Sequence, residues 1–291
     1  MAFFPIGTKG NRSMIVTSLF ALTCFTIIAL AIGRLIWSKK ASKQRAIMGI
    51  SGIILFIELI KITQQHRGMH SGFLNGNLEF ETKLINLKSN ITTLYTNLLE
   101  FESEHAYPPS LSTHYPYKQW QRLIENDTLK SAESFQLHSG LIARQLDAMW
   151  DMSDEFSLTS NQQEHIQDLA QQLVKTLPEL AESLGQVRAL SVQVASKQEM
   201  SADKKLQLLF TLGKIEEHHR RLTTPLPDST NERLINFIQE IKKSINYSTL
   251  YNQNPDAIFQ EATQVIDEIF VFILAGFDSL KTTIKDVKIL F

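Results

Sequence analysis

Apolar residues form one long uncharged run near the start of the chain. Residues 14–33 contain no charged side chain, and about 20 such residues make a helix long enough to cross a bilayer. Arg34 and Trp37 follow, which is typical of a membrane interface, and no signal-peptide cleavage pattern is present. The pattern predicts an N-terminal tail over residues 1–13 and a transmembrane helix over residues 14–37. The alternative is a buried helix of a soluble core.

A second apolar run, over residues 46–57, is shorter and is followed by Glu58 and Lys61. If the run extends to Ile62 it reaches spanning length, and the two charged side chains then lie near the interface. We therefore predict a second transmembrane helix over residues 46–62. The alternative is a helix that lies in the membrane interface.

Basic residues are concentrated between the two apolar runs. Residues 34–45 hold five Lys or Arg and no Asp or Glu, whereas the segment before the first run offers only Lys9 and Arg12. Short basic loops remain in the cytoplasm, so residues 38–45 are predicted to be a basic cytoplasmic loop. Two spans then place everything after residue 62 outside the cytoplasm. A cytoplasmic bundle is the alternative if the second run does not span.

The rest of the chain has apolar residues at helical spacing. Between Leu78 and Phe101 they recur mostly at intervals of three and four residues, which predicts one face of a long helix. A pair of prolines ends that helix, and residues 107–117 are predicted to be a loop. Capping residues and helix breakers predict further helices over residues 129–152 and 160–198, the second interrupted near Pro178. Three more helices are predicted to start at Ser201, at Ser229 or Thr230, and at Asn254.

These elements define the expected fold class. No sustained alternation of apolar and polar residues occurs, and the 12 Gly and 8 Pro provide few turns. We expect an all-α protein in which N-terminal transmembrane helices precede a long antiparallel helical bundle over residues 63–291.

Composition and motifs exclude several classes of function. The chain has 29 basic and 30 acidic residues and a net charge of −1, so bulk charge gives no reason to expect nucleic acid as a partner. The single cysteine, Cys24, excludes an internal disulfide and a cysteine-based metal site. His218 and His219 lack the partner four residues away that metal-binding helices carry. We predict no catalytic residues, no metal and no cofactor, and a membrane enzyme with an unfamiliar site is the remaining enzymatic alternative.

Arginine lies within one turn of a glycine in two helical segments, at Arg67 and at Arg188. Small residues allow a neighbouring helix or a ligand to approach closely, and arginine presents a planar fork of donors to an anion. The two segments are therefore candidate binding elements. The alternative is helix packing, in which both arginines pair with acids such as Glu182 or Glu217.

The two segments resemble the all-helical sensor domains of bacterial chemoreceptors and sensor kinases, in particular the nitrate- and nitrite-sensing type. The first helix of that family carries a Gln-x-x-Arg-Gly-like motif followed by small residues, matched here by Gln64, Arg67, Gly68 and Ser71. A later helix carries a Leu-Gly-x-x-Arg motif, matched by Leu184, Gly185 and Arg188. Residues 259–267 are similar to the helix that leads such domains back to the membrane. The resemblance covers roughly residues 62–285.

In that family two four-helix bundles pack together, and arginines of the motif helices hold a small anion. The resemblance implies that Arg67 and Arg188 bind the ligand, with His66 and Gln64 as neighbours. It implies a membrane-anchored, non-catalytic sensor-like or accessory domain in a bacterial inner membrane. The expected partners are the lipid bilayer, another membrane protein or a second copy of the chain, and a small anion. The alternative function is a structural or assembly factor of a bacterial envelope complex with no small-molecule ligand.

Overall fold

The computed structural model describes the backbone of residues 9–286 and the side chains of residues 17–286. Within those limits every regular element is helical, which confirms the all-α fold class. The start of the predicted tail and residues 287–291 lie outside the described residues. In chain order the helices are α1 (Lys9–Leu74), α2 (Glu81–Glu104), α3 (His114–Ile124), α4 (Ser131–Glu155), α5 (Glu164–Gln171), α6 (Leu177–Lys197), α7 (Ala202–Arg220), α8 (Asp228–Asn246) and α9 (Pro255–Asp286).

The first part of α1 is apolar and touches little else in the protein. Large side chains there are exposed, for example Phe20 at 70%, Phe25 at 71% and Leu30 at 74%. Of the helices in the described residues, α1 alone is long and apolar enough to cross a membrane. A helix that is apolar on every side and unburied is stable in lipid rather than in water. The structure thus supports one membrane anchor at the start of the chain.

The predicted loop and second span are not present as separate elements. Residues 38–45 are helical and continue α1 without interruption. In residues 46–62 the side chains of Ile50, Ile53 and Phe56 are buried in the protein core, where α1 packs against α2 and α4. A segment whose apolar face is covered by protein cannot also face lipid. The structure therefore does not confirm a second span, and the orientation that was predicted from two spans is not confirmed either.

The helices pack as a bundle around one continuous apolar core. The second half of α1, from Ala46 onward, packs against α2 and α4, and α3 packs against α4. In the second half of the chain α6 packs against α7 and α9, and α8 packs against α9. Contacts of α1 with α9 and α6 join these two sets of helices. The interface of α1 with α6 and α9 is the part of the fold that matters for function.

Helix α3 was not expected, because residues 107–117 were predicted to be a loop. The helix begins at His114 and carries Pro116 in its first turn. A proline is tolerated there, since the first N–H groups of a helix have no partner inside the helix. Trp120 is fully buried against the core and secures the short helix.

The break predicted near Pro178 is present. Residues 172–176 form a π-helical turn, and Pro178 lies in the first turn of α6. The wider turn accommodates a proline that has no N–H to donate. The predicted start of α7 is also confirmed, because the Ser201 hydroxyl caps the helix by accepting the N–H of Lys204 at 3.3 Å. Helix α8 begins at Asp228, one residue before the predicted cap.

Candidate functional site

The two arginines singled out in the sequence are buried on neighbouring helices. Arg67 of α1 is 1% exposed and Arg188 of α6 is 4% exposed. Each guanidinium lies over an aromatic ring: Arg67 Cζ is 5.2 Å from the centre of Phe135, and Arg188 Cζ is 4.9 Å from that of Phe259. A buried charge costs several kcal/mol unless other groups compensate it. The partners of these two side chains therefore decide what the site can do.

Arg67 is paired with a buried carboxylate. Its Nη1 donates to Glu182 Oε1 at 2.5 Å and to Ser139 Oγ at 2.9 Å. The same carboxylate accepts the side-chain amides of Gln64 at 3.0 Å and Gln186 at 2.8 Å. One carboxylate thus accepts hydrogen bonds from three side chains. Half of the packing alternative is therefore correct, since Glu182 is the acid that faces Arg67.

Arg188 has a different environment. Its Nη1 donates to Thr263 Oγ1 of α9 at 2.8 Å, and none of the described carboxylates lies within 4.0 Å of it. Burial first, and then the positive charge of Arg67, lowers the pKa of Arg188 to about 10, while Asp267 and Glu182 act in the opposite direction. Asp267 is already paired with Lys61 at 3.0 Å. Arg188 is thus a buried cation without an acid of its own.

A charge count follows from these contacts. Arg67 and Arg188 contribute two positive charges to this part of the interface, and Glu182 contributes one negative charge. Glu217, the other acid considered as a partner, pairs with Arg221 on α7 instead. Among the described residues, the two guanidinium groups and their one buried carboxylate leave a single positive charge uncompensated.

A glycine lies beside each arginine, and the one beside Arg67 leaves space for it. Gly185 of α6 lies against Arg67: a Cβ built on it stands 2.9 Å from Arg67 Nη2 and 3.7 Å from Gln64 Oε1. Both of those atoms are buried and have no hydrogen-bond partner among the described residues. On the facing helix, a Cβ built on Gly68 approaches Arg188 Nη2 at 4.0 Å. A donor and an acceptor thus lie unsatisfied beside the one position of α6 that lacks a side chain.

The four site residues predicted from the sequence do not all lie at one interface. Gln64, Arg67 and Arg188 lie at the interface of α1 with α6. His66 faces α4 instead, with its Nδ1 2.8 Å from His138 Nε2 and its ring edge-on to Trp120 at 5.0 Å between ring centres. Adjacent helical residues point about 100° apart, so His66 and Arg67 face different neighbours. His66 as a ligand neighbour stays a prediction.

His66 belongs to a cluster with His70 and His138, whose ring centres lie 5.0 to 5.5 Å apart. The His138 Nδ1–H donates to the Ser134 carbonyl at 2.7 Å, so His138 Nε2 accepts a hydrogen bond from His66 Nδ1. Burial lowers the pKa of His66 to about 2 and that of His138 to about 3. The cluster is uncharged at neutral pH. In the part of the chain with described side chains, no group of three or more His, Cys, Asp or Glu residues is placed so that it could hold a metal ion.

Sequence reasoning missed this histidine cluster, although part of its signal was present. His66 and His70 are four residues apart on one helix face. His138 and Thr263 gave no signal, because only the packing of distant helices brings them to their partners. Gln186 was equally inconspicuous before the position of Glu182 was known.

No protein-family profile, no curated protein and no solved structure matches the chain. The motif resemblance described above therefore remains an interpretation, and the functional argument rests on the geometry of the site.

Proposed function

We propose that the protein is a membrane-anchored, non-catalytic sensor-like or accessory domain that binds a small anion between Arg67 and Arg188. One observation carries this proposal: Arg188 is buried without an acid, beside an Arg67 whose Nη2 has no partner among the described residues. An anion at this interface gains charge-assisted hydrogen bonds in a site with little water. The motif resemblance implies the same two arginines.

The charge count favours a monovalent anion. Glu182 already neutralises one guanidinium, so a second single negative charge balances the buried group. A divalent anion such as sulfate would leave an excess negative charge in the core, which is unfavourable there. Nitrate, nitrite and formate have the charge and planar shape that match the donor fork of arginine.

The location of the site suits a signalling role. Arg67 and Arg188 lie where α1 meets α6, and Thr263 of α9 holds Arg188. Arg67 is 34 residues beyond the end of the uncharged run at Gly33, and the helix between them is continuous. At 1.5 Å per residue this is about 51 Å. An anion that draws α6 and α9 toward α1 therefore acts directly on the helix that enters the membrane.

The grouping of helices supports the finer fold prediction. Helices α1 to α4 form one set and α6 to α9 form the other, which corresponds to the proposed pair of four-helix bundles. The anion site lies between the two sets. The signal then passes to another membrane protein or to a second copy of the chain, and a bacterial inner membrane is the proposed location.

A structural or assembly factor without a ligand is the second candidate. The Arg67–Glu182 ion pair favours it, because that contact holds α1 and α6 together with no added anion. In this case the hydrogen bond from Arg188 to Thr263 likewise holds α9 against α6 without an anion. Both candidates share the fold and the anchor, and they differ in whether an anion changes stability.

Thermal melting of the purified full chain in detergent separates the two candidates. A ligand at a hundred times its dissociation constant stabilises the folded state by about 2.7 kcal/mol. We expect a saturable shift with at least one of nitrate, nitrite, formate or acetate, and none with sulfate at equal ionic strength. Arg188→Gln should abolish the shift, whereas Arg122→Gln, at an exposed position of α3, should retain it. An unshifted wild-type protein would favour the structural role.

A further inference from the structure

The segment of α1 between the membrane anchor and the bundle is strongly basic. We call residues 34–45 the basic neck; its charged residues are Arg34, Lys39, Lys40, Lys43 and Arg45. The side chains of residues 37–42 are exposed, and burial in the bundle begins at Ala46. The neck is thus a helical rod that carries only positive charge and separates the exposed apolar part of α1 from the protein core.

Positive charge is not confined to one face of the neck. With about 100° between successive residues, the three basic positions nearest the anchor, Arg34, Lys39 and Lys40, fall near 0°, 140° and 240°. A protein partner contacts one face of such a helix, whereas lipid headgroups surround a membrane-crossing helix on every side. The arrangement therefore fits lipid better than a docked protein.

The depth of these residues agrees with lipid contact. Residues 14–33 rise by about 30 Å as a helix, which matches the thickness of the hydrocarbon layer. Arg34 to Lys40 then occupy the next 10 Å or so, the region of the headgroups on that side. Trp37 lies in the same stretch and is 73% exposed, as interfacial tryptophans are.

The ends of α9 and α4 lie beside the neck. Lys43 Nζ donates to the carbonyl of Lys285, and Arg45 pairs with Glu155. These helix ends carry acids as well as bases, among them Glu155 on α4 and Asp286 on α9. The excess of positive charge at this level therefore comes from the neck itself, and its residues nearest the anchor are the ones that meet the headgroups.

We propose that the basic neck binds the phosphate groups of anionic phospholipids in the cytoplasmic leaflet. The chain then crosses the membrane once, with its N-terminus outside and its bundle in the cytoplasm. Basic residues next to a span prefer the cytoplasmic side. With two spans this preference placed the bundle outside the cytoplasm, and with one span it places the bundle inside. This proposal does not depend on the anion site at Arg67 and Arg188.

The lipid contact can be measured with the full chain reconstituted in bilayers that contain spin-labelled phosphatidylglycerol or phosphatidylcholine. We expect phosphatidylglycerol to be enriched several-fold around the protein, with the enrichment falling as salt is added. Each lysine removed should weaken it by up to about fivefold, so Lys39→Gln with Lys40→Gln should nearly abolish it. Lys118→Gln with Lys130→Gln, at exposed positions of the bundle, makes the same charge change and should have no effect. No enrichment for the wild type, or an equal loss in both double variants, would overturn the proposal.

The orientation is tested by fusing a reporter after the last residue. A fluorescent protein that matures only in the cytoplasm should be bright at this position, and alkaline phosphatase, which is active only outside, should be inactive. An active phosphatase fusion would place the bundle outside and contradict the single-span orientation.

Discussion

Gly185 leaves the space that the Arg67 guanidinium occupies between α1 and α6. Replacing it with alanine puts a Cβ 2.9 Å from Arg67 Nη2, so the guanidinium must move. We expect Gly185→Ala to lose the anion-induced melting shift and to lower the free energy of unfolding by about 1 to 2 kcal/mol. Gly140→Ala is the matched control, because a Cβ there meets nothing within 4 Å and alanine favours the helix. If both variants are stabilised and still respond to anion, Gly185 is not part of a site.

Glu182 neutralises one of two buried cations, so the stability of a variant without this carboxylate should depend more strongly on a bound anion. Glu182→Gln leaves Arg67 and Arg188 without a buried carboxylate, and we expect a loss of about 3 kcal/mol in denaturant unfolding. A monovalent anion should restore more stability to this variant than it adds to the wild type. Glu179→Gln, on the same helix but half-buried, should cost less than about 1 kcal/mol. Equal responses to anion in wild type and Glu182→Gln would argue against the charge count.

The buried histidines make stability depend on pH in a defined direction. His66 and His138 stay neutral in the folded protein, because burial lowers their pKa values to about 2 and about 3. The unfolded chain binds protons at these residues below about pH 6.5. Stability is therefore full above that pH and should fall by about 2 kcal/mol per histidine between pH 7 and pH 5.

Denaturant unfolding at the two pH values measures this loss. His138→Gln should reduce the pH-dependent loss by one histidine's share, whereas His114→Gln, at an exposed position, should leave it unchanged. A pH-independent wild type between pH 7 and pH 5 would mean that the cluster is charged or solvated in the folded state.

Residue spacing alone was enough to select Arg67, Gly185 and Arg188, since an arginine near a glycine on a helix is visible in the sequence. Their partners were not, because Glu182 faces Arg67 only after α6 packs across α1. The sequence offered Glu182 and Glu217 as equal candidates, and tertiary packing decides between them. His66 was predicted to be near the ligand because it precedes Arg67 in the sequence. The rotation of the helix between the two residues directs its side chain toward α4 instead.

Helix α1 changes character along its length, from an exposed apolar part to a part that is buried in the protein core. The run at residues 46–57 is almost continuously apolar, as a span would be, but its buried residues Ala46, Ile50, Ile53 and Phe56 recur every three to four positions. That spacing is typical of packing on one side. Hydropathy does not distinguish a second span from a core helix, and contact with α2 and α4 does. Helix α3 was missed because its first residues, which include Pro116, were assigned to the loop that follows the proline pair.

The role of residues 46–62 as core or as span can be tested at the level of the helix. A fragment of residues 43–291 retains the buried side chains of Ile50, Ile53 and Phe56, and a fragment of residues 63–291 lacks them. Removing these large apolar groups from the core costs several kcal/mol each. We expect the longer fragment to be monodisperse with a cooperative melt, and the shorter one to unfold or aggregate. Equal stability of both fragments would instead support the prediction that residues 46–62 span the membrane.

At the scale of the whole molecule, one helix joins the three parts of the protein. Its first part is an apolar anchor, its middle part is the basic neck, and its last part is the central helix of the bundle. The proposed anion site lies about 51 Å along this helix from the end of the apolar run. Sequence patterns identified the anchor and the helical fold, whereas the position of the bundle relative to the anchor required the packing of α1.

The most direct test of the account is to locate an anion in a crystal of the 43–291 fragment grown with sodium bromide. Bromide is monovalent and is identified by its anomalous scattering. The account predicts an anomalous peak between Arg67 Nη2 and the Arg188 guanidinium, within about 3.5 Å of at least one donor of each. Bromide found only at exposed basic side chains, with the two arginines buried and ordered but no peak between them, would contradict the central claim.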